Sequence, residues 1–122
     1  MKIINWFQIP ALNIDRAVKF YGEVFKVSFH QMEHNMEKHA FFALDTIESE
    51  RTGGEIVQSS RDKPAQDGVL IYLNVPDGID VALSLVEKAG GKILMPKTSI
   101  GENGVIATIL DTEGNRIGIH SM

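Results

Sequence analysis

The residues best suited to acid–base or ligand chemistry are few and unevenly spread. His30, Glu33, His34, Glu37 and His39 crowd one stretch, HQMEHNMEKH, and His120 stands near the other end of the chain. An imidazole titrates near neutral pH, so each can carry a proton, accept or donate a hydrogen bond, or ligate a metal. His30 and His34 share one face of an extended strand, but strand spacing holds them about 13 Å apart, too far to grip one ion directly. The segment is therefore expected to be a solvated hairpin. His120 is a general base or a hydrogen-bond donor to a ligand, or else a solvent-facing residue of the chain end. No Gly-x-x-x-x-Gly-Lys-Ser/Thr loop and no Gly-x-Ser-x-Gly elbow occurs, which leaves phosphoryl transfer and serine-triad chemistry without support.

A different chemistry is suggested by NWFQIPA, residues 5–11. In a strand, successive side chains point to opposite sides, so Phe7, Ile9 and Ala11 share one face and Trp6, Gln8 and Pro10 the other. The first set suits a core. The second mixes an aromatic with an amide, which suits neither open solvent nor a second core layer.

Composition narrows the field. The chain has 122 residues, a hydrophobic fraction of 43% and a charged fraction of 23%, enough for one globular domain with a real core. A net charge of -4 without adjacent Lys or Arg argues against nucleic acid and anionic membranes as partners, leaving small molecules or proteins. The absence of cysteine removes disulfides, thiolate catalysis and Cys-ligated metals, so any metal must rest on His, Asp and Glu. No segment has the make-up of a secretory leader or a membrane span, and a cytoplasmic location is expected.

The elements that must position these residues occur twice. INWFQIPA is followed by Asn13 as a helix cap and by IDRAVKFYGEVF, with Ala17, Val18, Phe20, Tyr21, Val24 and Phe25 at helical spacing. VLIYLNV is followed by Asp77 as a cap and by IDVALSLVEKAGG, with Ala82, Leu83, Leu85, Val86 and Ala89 spaced alike and a Gly90-Gly91 stop. Three extended stretches follow each helix: 27–34, 38–46 and 54–60, then 92–97, 104–111 and 115–121. The closing strands also match, TGGEIVQSS (52–60) lying over EGNRIGIHS (113–121). The expected fold is α+β: one domain over 1–122, built of two tandem βαβββ modules, about 1–61 and 67–122, whose sheets curve around a cleft.

Two registers relate the halves, setting Trp6 against Tyr72 or against Leu70, and an even shift leaves the facing unchanged. Ile71, Leu73 and Val75 join the apolar face; Leu70, Tyr72 and Asn74 join Trp6 and Gln8. The helices must bury their stripes on the apolar face. The opposite face then lines the space between the sheets, where aromatic bodies beside polar tips suit a small ligand. In the last strand Ile117 and Ile119 face the helix, while Arg116, Gly118 and His120 face that space. DTEGNR supplies hairpin residues in Gly114 and Asn115.

Together NIDRAVKFYGEVF, YLNV…ID…L…VEKAGGKIL and DTEGNRIGIH resemble the vicinal oxygen chelate superfamily, which includes glyoxalase I, bleomycin-resistance proteins and extradiol dioxygenases. The resemblance covers essentially the whole chain. It implies metal ligands at four inward positions, on the first and last strand of each module, which here fall at Trp6, Val57, Leu70 and Gly118. None of these can ligate a divalent ion, and a one-residue shift would offer only Gln58. The bleomycin-resistance type, with a metal-free crevice formed by two chains, is thus the nearer analogue, and implies a homodimer. A loop resembling one of that subgroup places Lys97 where it could meet an anionic ligand. The expected function is binding of a small organic molecule, without cofactor, by Trp6, Gln8, Tyr72, Asn74, Lys97 and His120. The alternative is a metal-dependent lyase, isomerase or dioxygenase whose divalent ion sits on non-standard ligands, such as His120 with Glu55 or with a hairpin histidine.

Overall fold

Asn13 does what its position predicts: with extended backbone it caps the first helix, its Oδ1 accepting the Arg16 N–H at 3.1 Å. The computed structural model describes residues 3–43, 53–75 and 77–122, so residues 44–46 of the expected stretch 38–46, together with Thr52 and Pro76, lie outside them. The order is β1 (Trp6–Pro10), α1 (Ile14–Phe25), β2 (Ser28–His34), β3 (Glu37–Ala43), β4 (Gly53–Gln58), β5 (Tyr72–Asn74), α2 (Ile79–Val86), β6 (Lys92–Ser99), β7 (Val105–Leu110) and β8 (Arg116–Ser121). Two four-stranded sheets result, ordered β1-β4-β3-β2 and β5-β8-β7-β6. In each the first strand runs parallel to the last, and the other pairs are antiparallel. The α+β fold of two repeated βαβββ units is therefore present.

Each helix covers its own sheet, and the two helices also touch. Ala17, Phe20, Tyr21 and Val24 of α1 are buried with Ile9, Ala40 and Ile56; Ile79, Ala82 and Val86 of α2 are buried in the same core as Ala107, Ile109, Ile117 and Ile119. Phe7, Ile71 and Leu73 pack against that core from the expected side.

Four local expectations need correction. Gly78 (φ 96°), not Asp77, occupies the cap of α2, and no side chain caps that helix. The helix stops at Val86, and the chain then turns through Gly90 (φ 100°), with the Gly91 N–H donating to Val86 O at 2.9 Å. Only Tyr72–Asn74 of VLIYLNV forms a strand. Lys97 lies in a strand rather than a loop, because β6 runs on to Ser99. That strand is the sheet edge, and its register shifts between Met95 and Thr98, around Pro96, which has no N–H for the ladder.

The DTEGNR turn does more than close a hairpin. Asp111 N–H donates to Asn115 O at 2.9 Å, and Gly114 takes φ 102°. The Glu113 carboxylate accepts the backbone N–H groups of Leu12 and Asn13 at 2.8 and 2.7 Å and the Arg16 guanidinium at 2.6 and 3.0 Å. Tyr21 donates its hydroxyl to Asp111 Oδ2 at 2.6 Å, and the Asn115 amide donates to Pro10 O at 2.7 Å. A turn of the second module thus pins the strand-to-helix joint of the first.

Candidate functional site

The open face of the first sheet is assembled by register. Parallel pairing sets Trp6 beside Gly53 and Gln8 beside Glu55; antiparallel pairing sets Phe41 beside Glu55 and His39 beside Val57. A Cβ at residue 53 would lie 2.7 Å from the indole, so glycine is what lets Trp6 lie across its neighbour. Trp6 remains 47% exposed, although its Nε1–H donates to Glu55 Oε2 at 3.0 Å. Gln8 Nε2 donates to the same oxygen at 3.4 Å, and His39 Nδ1 meets Glu55 Oε1 at 2.5 Å. Phe41 lies 6.0 Å from both the indole and the imidazole, stacked on the latter.

Glu55 is 5% exposed. Burial pushes its carboxyl pKa up, but hydrogen bonds from His39, Trp6 and Gln8, with the charge of His39, outweigh that and hold it below the usual value. On the other side of the ring, His39 Nε2 stands 3.5 Å from Glu37 Oε1, and Glu37 pairs with Arg61 at 2.7 Å. The expected solvated hairpin is thus corrected for its second strand. His39 turns inward with its side chain 16% exposed, because Glu55 offers a buried acceptor, whereas His30 and His34 stay exposed.

The second sheet repeats the pattern with other residues. Tyr72 pairs with Gly118, where a Cβ would meet its ring at 2.4 Å, so the aromatic again rests over a glycine. The aromatic-over-glycine pairs set Trp6 against Tyr72, whereas the strand ends, where Ala11 N–H donates to Val57 O at 2.9 Å and Val75 N–H to His120 O at 3.3 Å, match Ala11 to Val75 and thus Trp6 to Leu70; both registers keep the same facing. Asn74 pairs with His120 as Gln8 pairs with Glu55. His120 Nε2 bonds to Asn103 O at 2.6 Å. Lys97 pairs instead with Asp80 of α2 at 3.1 Å, which ties it to the helix side.

Of the residues singled out from sequence, Trp6 and Gln8 share one cluster, while Tyr72, Asn74 and His120 share another on the second sheet. Glu55, His39 and Phe41 join the first cluster; of these only Glu55 and the hairpin histidines had been considered, and only as metal ligands. The available signal was a lone carboxylate between glycines and aliphatic residues in GGEIV.

The sequence profile of the Glyoxalase/Bleomycin resistance protein/Dioxygenase superfamily matches residues 3–119. The chain belongs to this superfamily. A glyoxylase-like domain-containing protein from Didymella fabae is 29% identical over 113 residues, covering 92% of this chain and 88% of the relative. Among solved structures, a glyoxalase I variant from Zea mays superposes with a TM-score of 0.71 at 17% identity, over 96% of this chain and 45% of that one. The fosfomycin resistance protein FosX from Listeria monocytogenes gives 0.71 at 10% identity, over 100% and 92%. At these identities the structural likeness speaks for the superfamily fold.

Metal chemistry in this superfamily requires imidazole or carboxylate donors. Trp6, Val57, Leu70 and Gly118 supply none; the strand-end bonds set Val57 against His120 and so Glu55, not Val57, against Gly118, which leaves Glu55 as the one carboxylate at such a position, with both oxygens engaged by His39, Trp6 and Gln8. Among the described residues, no three His, Asp or Glu side chains are grouped to hold an ion. These residues do not fit the superfamily's metal centre. No helix among them is long and apolar enough to cross a membrane.

Proposed function

We propose that this member of the superfamily binds a small organic molecule, without a metal ion, on the open face of its first sheet. Trp6 and Phe41 supply the apolar contact, and Gln8, Glu55 and His39 the polar ones. The observation that carries this reading is the state of Trp6: nearly half exposed, yet oriented by its bond to Glu55 and backed by Gly53. A fixed, uncovered aromatic face gains about 25 cal/mol per Å² when a ligand buries it, before binding costs, and little entropy remains to be lost in the ring itself. Tyr72, Asn74 and His120 form the complementary half of the site. A second copy of the chain supplies that half to the first, making a cytoplasmic homodimer.

Titration with the neutral dye Nile red tests this reading. Enhanced dye fluorescence is expected, weakened about tenfold or more in Trp6→Ala, equivalent to about 1.4 kcal/mol. Equal affinity in the two proteins would contradict it. Metal analysis of untagged protein should return less than stoichiometric Ni, Zn, Mn or Fe; a full equivalent would favour the second reading, a metal-dependent lyase, isomerase or dioxygenase. The contact between Glu55 and His39 is the observation in that reading's favour, since it joins two potential ligands.

A further inference from the structure

A cavity of about 230 Å³ opens where β1 and β8 meet the segment joining the modules. Its apolar lining comes from Ile9, Ile71 and the exposed Val69. Two cations, Lys63 and Arg116, also line it, and among the described residues neither has a carboxylate partner. With Asp67 as the one carboxylate that also lines the cavity, these two cations leave its lining with a net positive charge. The Arg116 guanidinium carries five N–H donors. Its terminal nitrogen reaches Gly68 O at 3.3 Å, while its Nε is sealed from solvent and has no partner. Native structures rarely leave a buried donor unsatisfied.

We infer that this cavity is a binding site for a small organic carboxylate with an apolar body. A planar carboxylate matches the guanidinium fork, and Lys63 adds a second charge. Gly68, whose carbonyl accepts from the terminal nitrogen, is exposed. Asp67 also lines the cavity, so a single negative charge suits the site better than a phosphate with two. The volume is below that of a drug-sized pocket, about 300–1,000 Å³, and above the roughly 150 Å³ that holds benzene, which points to a body the size of one ring. Trp6 does not line this cavity, so the site is separate from the face proposed above, with Gln8 at their border.

Benzoate is the probe, with benzamide as its neutral counterpart and chloride to match ionic strength. The readout is the Arg116 Nε–H resonance of the intact protein, assigned by its loss in Arg116→Gln. Benzoate should shift it saturably, with affinity about tenfold or more above that of benzamide, as expected for a charge-assisted contact. Lys63→Gln, at an exposed position, should weaken benzoate severalfold, and Trp6→Ala should leave its affinity unchanged. Equal responses to benzoate and benzamide, a shift reproduced by chloride, or full benzoate affinity in Lys63→Gln would overturn the proposal. Loss of the benzoate response in Trp6→Ala would overturn the separateness of the site.

Discussion

Glu55 sits on an interior strand within reach of three donors, and its ionisation holds Trp6, Gln8 and His39 in place. Its folded pKa lies below the unfolded value of 4.5, as does that of Glu113. Each carboxylate therefore contributes stability fully present above that value and lost as pH falls through its folded pKa. Urea unfolding should show wild type losing stability on acidification below 4.5, with a shallower decline in Glu55→Gln. At neutral pH that substitution should cost about 1–3 kcal/mol, since it removes the charge and sets an amide NH2 donor where one of the two accepting oxygens stood. An unchanged acid slope would remove Glu55 from this role. The placing of Trp6 and Gln8 on the open face was legible in the two-residue period of NWFQIPA. Their partner was not, because Glu55 lies 47 residues beyond Gln8 and meets it only through strand register.

At the scale of elements, the two aromatic-over-glycine pairs set the shape of both open faces. In Gly118→Ala the new methyl would overlap the Tyr72 ring, and in Gly53→Ala it would press on the indole. Each should cost about 1–3 kcal/mol as an overpacked contact. Because Trp6 is the only tryptophan, Gly53→Ala should also change its near-UV circular dichroism, while Gly118→Ala should leave that signal alone. Helix α1 was legible because its apolar spacing and its cap agree. Helix α2 begins differently since Gly78, with positive φ, makes the turn that Asp77 was expected to make. The strand expected over VLIYLNV shrinks because β5 has a single neighbour, β8, and their paired residues extend only from Tyr72 to Asn74.

Across the whole molecule, the duplicated architecture could be read from the repeats, whereas the joint between the modules could not. Asp111, Glu113 and Asn115 look like turn residues, and only tertiary contact turns them toward Pro10, Leu12, Arg16 and Tyr21. Burial raises the Tyr21 hydroxyl pKa far above its usual value, and the Asp111 charge adds to it, so the phenol stays protonated and donating. Tyr21→Phe should cost about 1 kcal/mol, because Asp111 keeps its backbone donors; Glu113→Gln should cost more, about 2–3 kcal/mol, by removing the negative charge that meets Arg16 and the backbone N–H groups of Leu12 and Asn13 before the helix. Both should appear as shifts in one cooperative urea transition; two separate transitions would mean that this joint does not unite the modules.

The Trp6 face is proposed to receive a neutral organic guest without a metal. A crystal structure of untagged protein soaked with benzyl alcohol tests it most directly. The ring is expected against Trp6 and Phe41, with its hydroxyl meeting Gln8 or Glu55. A cation held between Glu55 and His39, or a guest that ignores the indole and settles elsewhere, would contradict it.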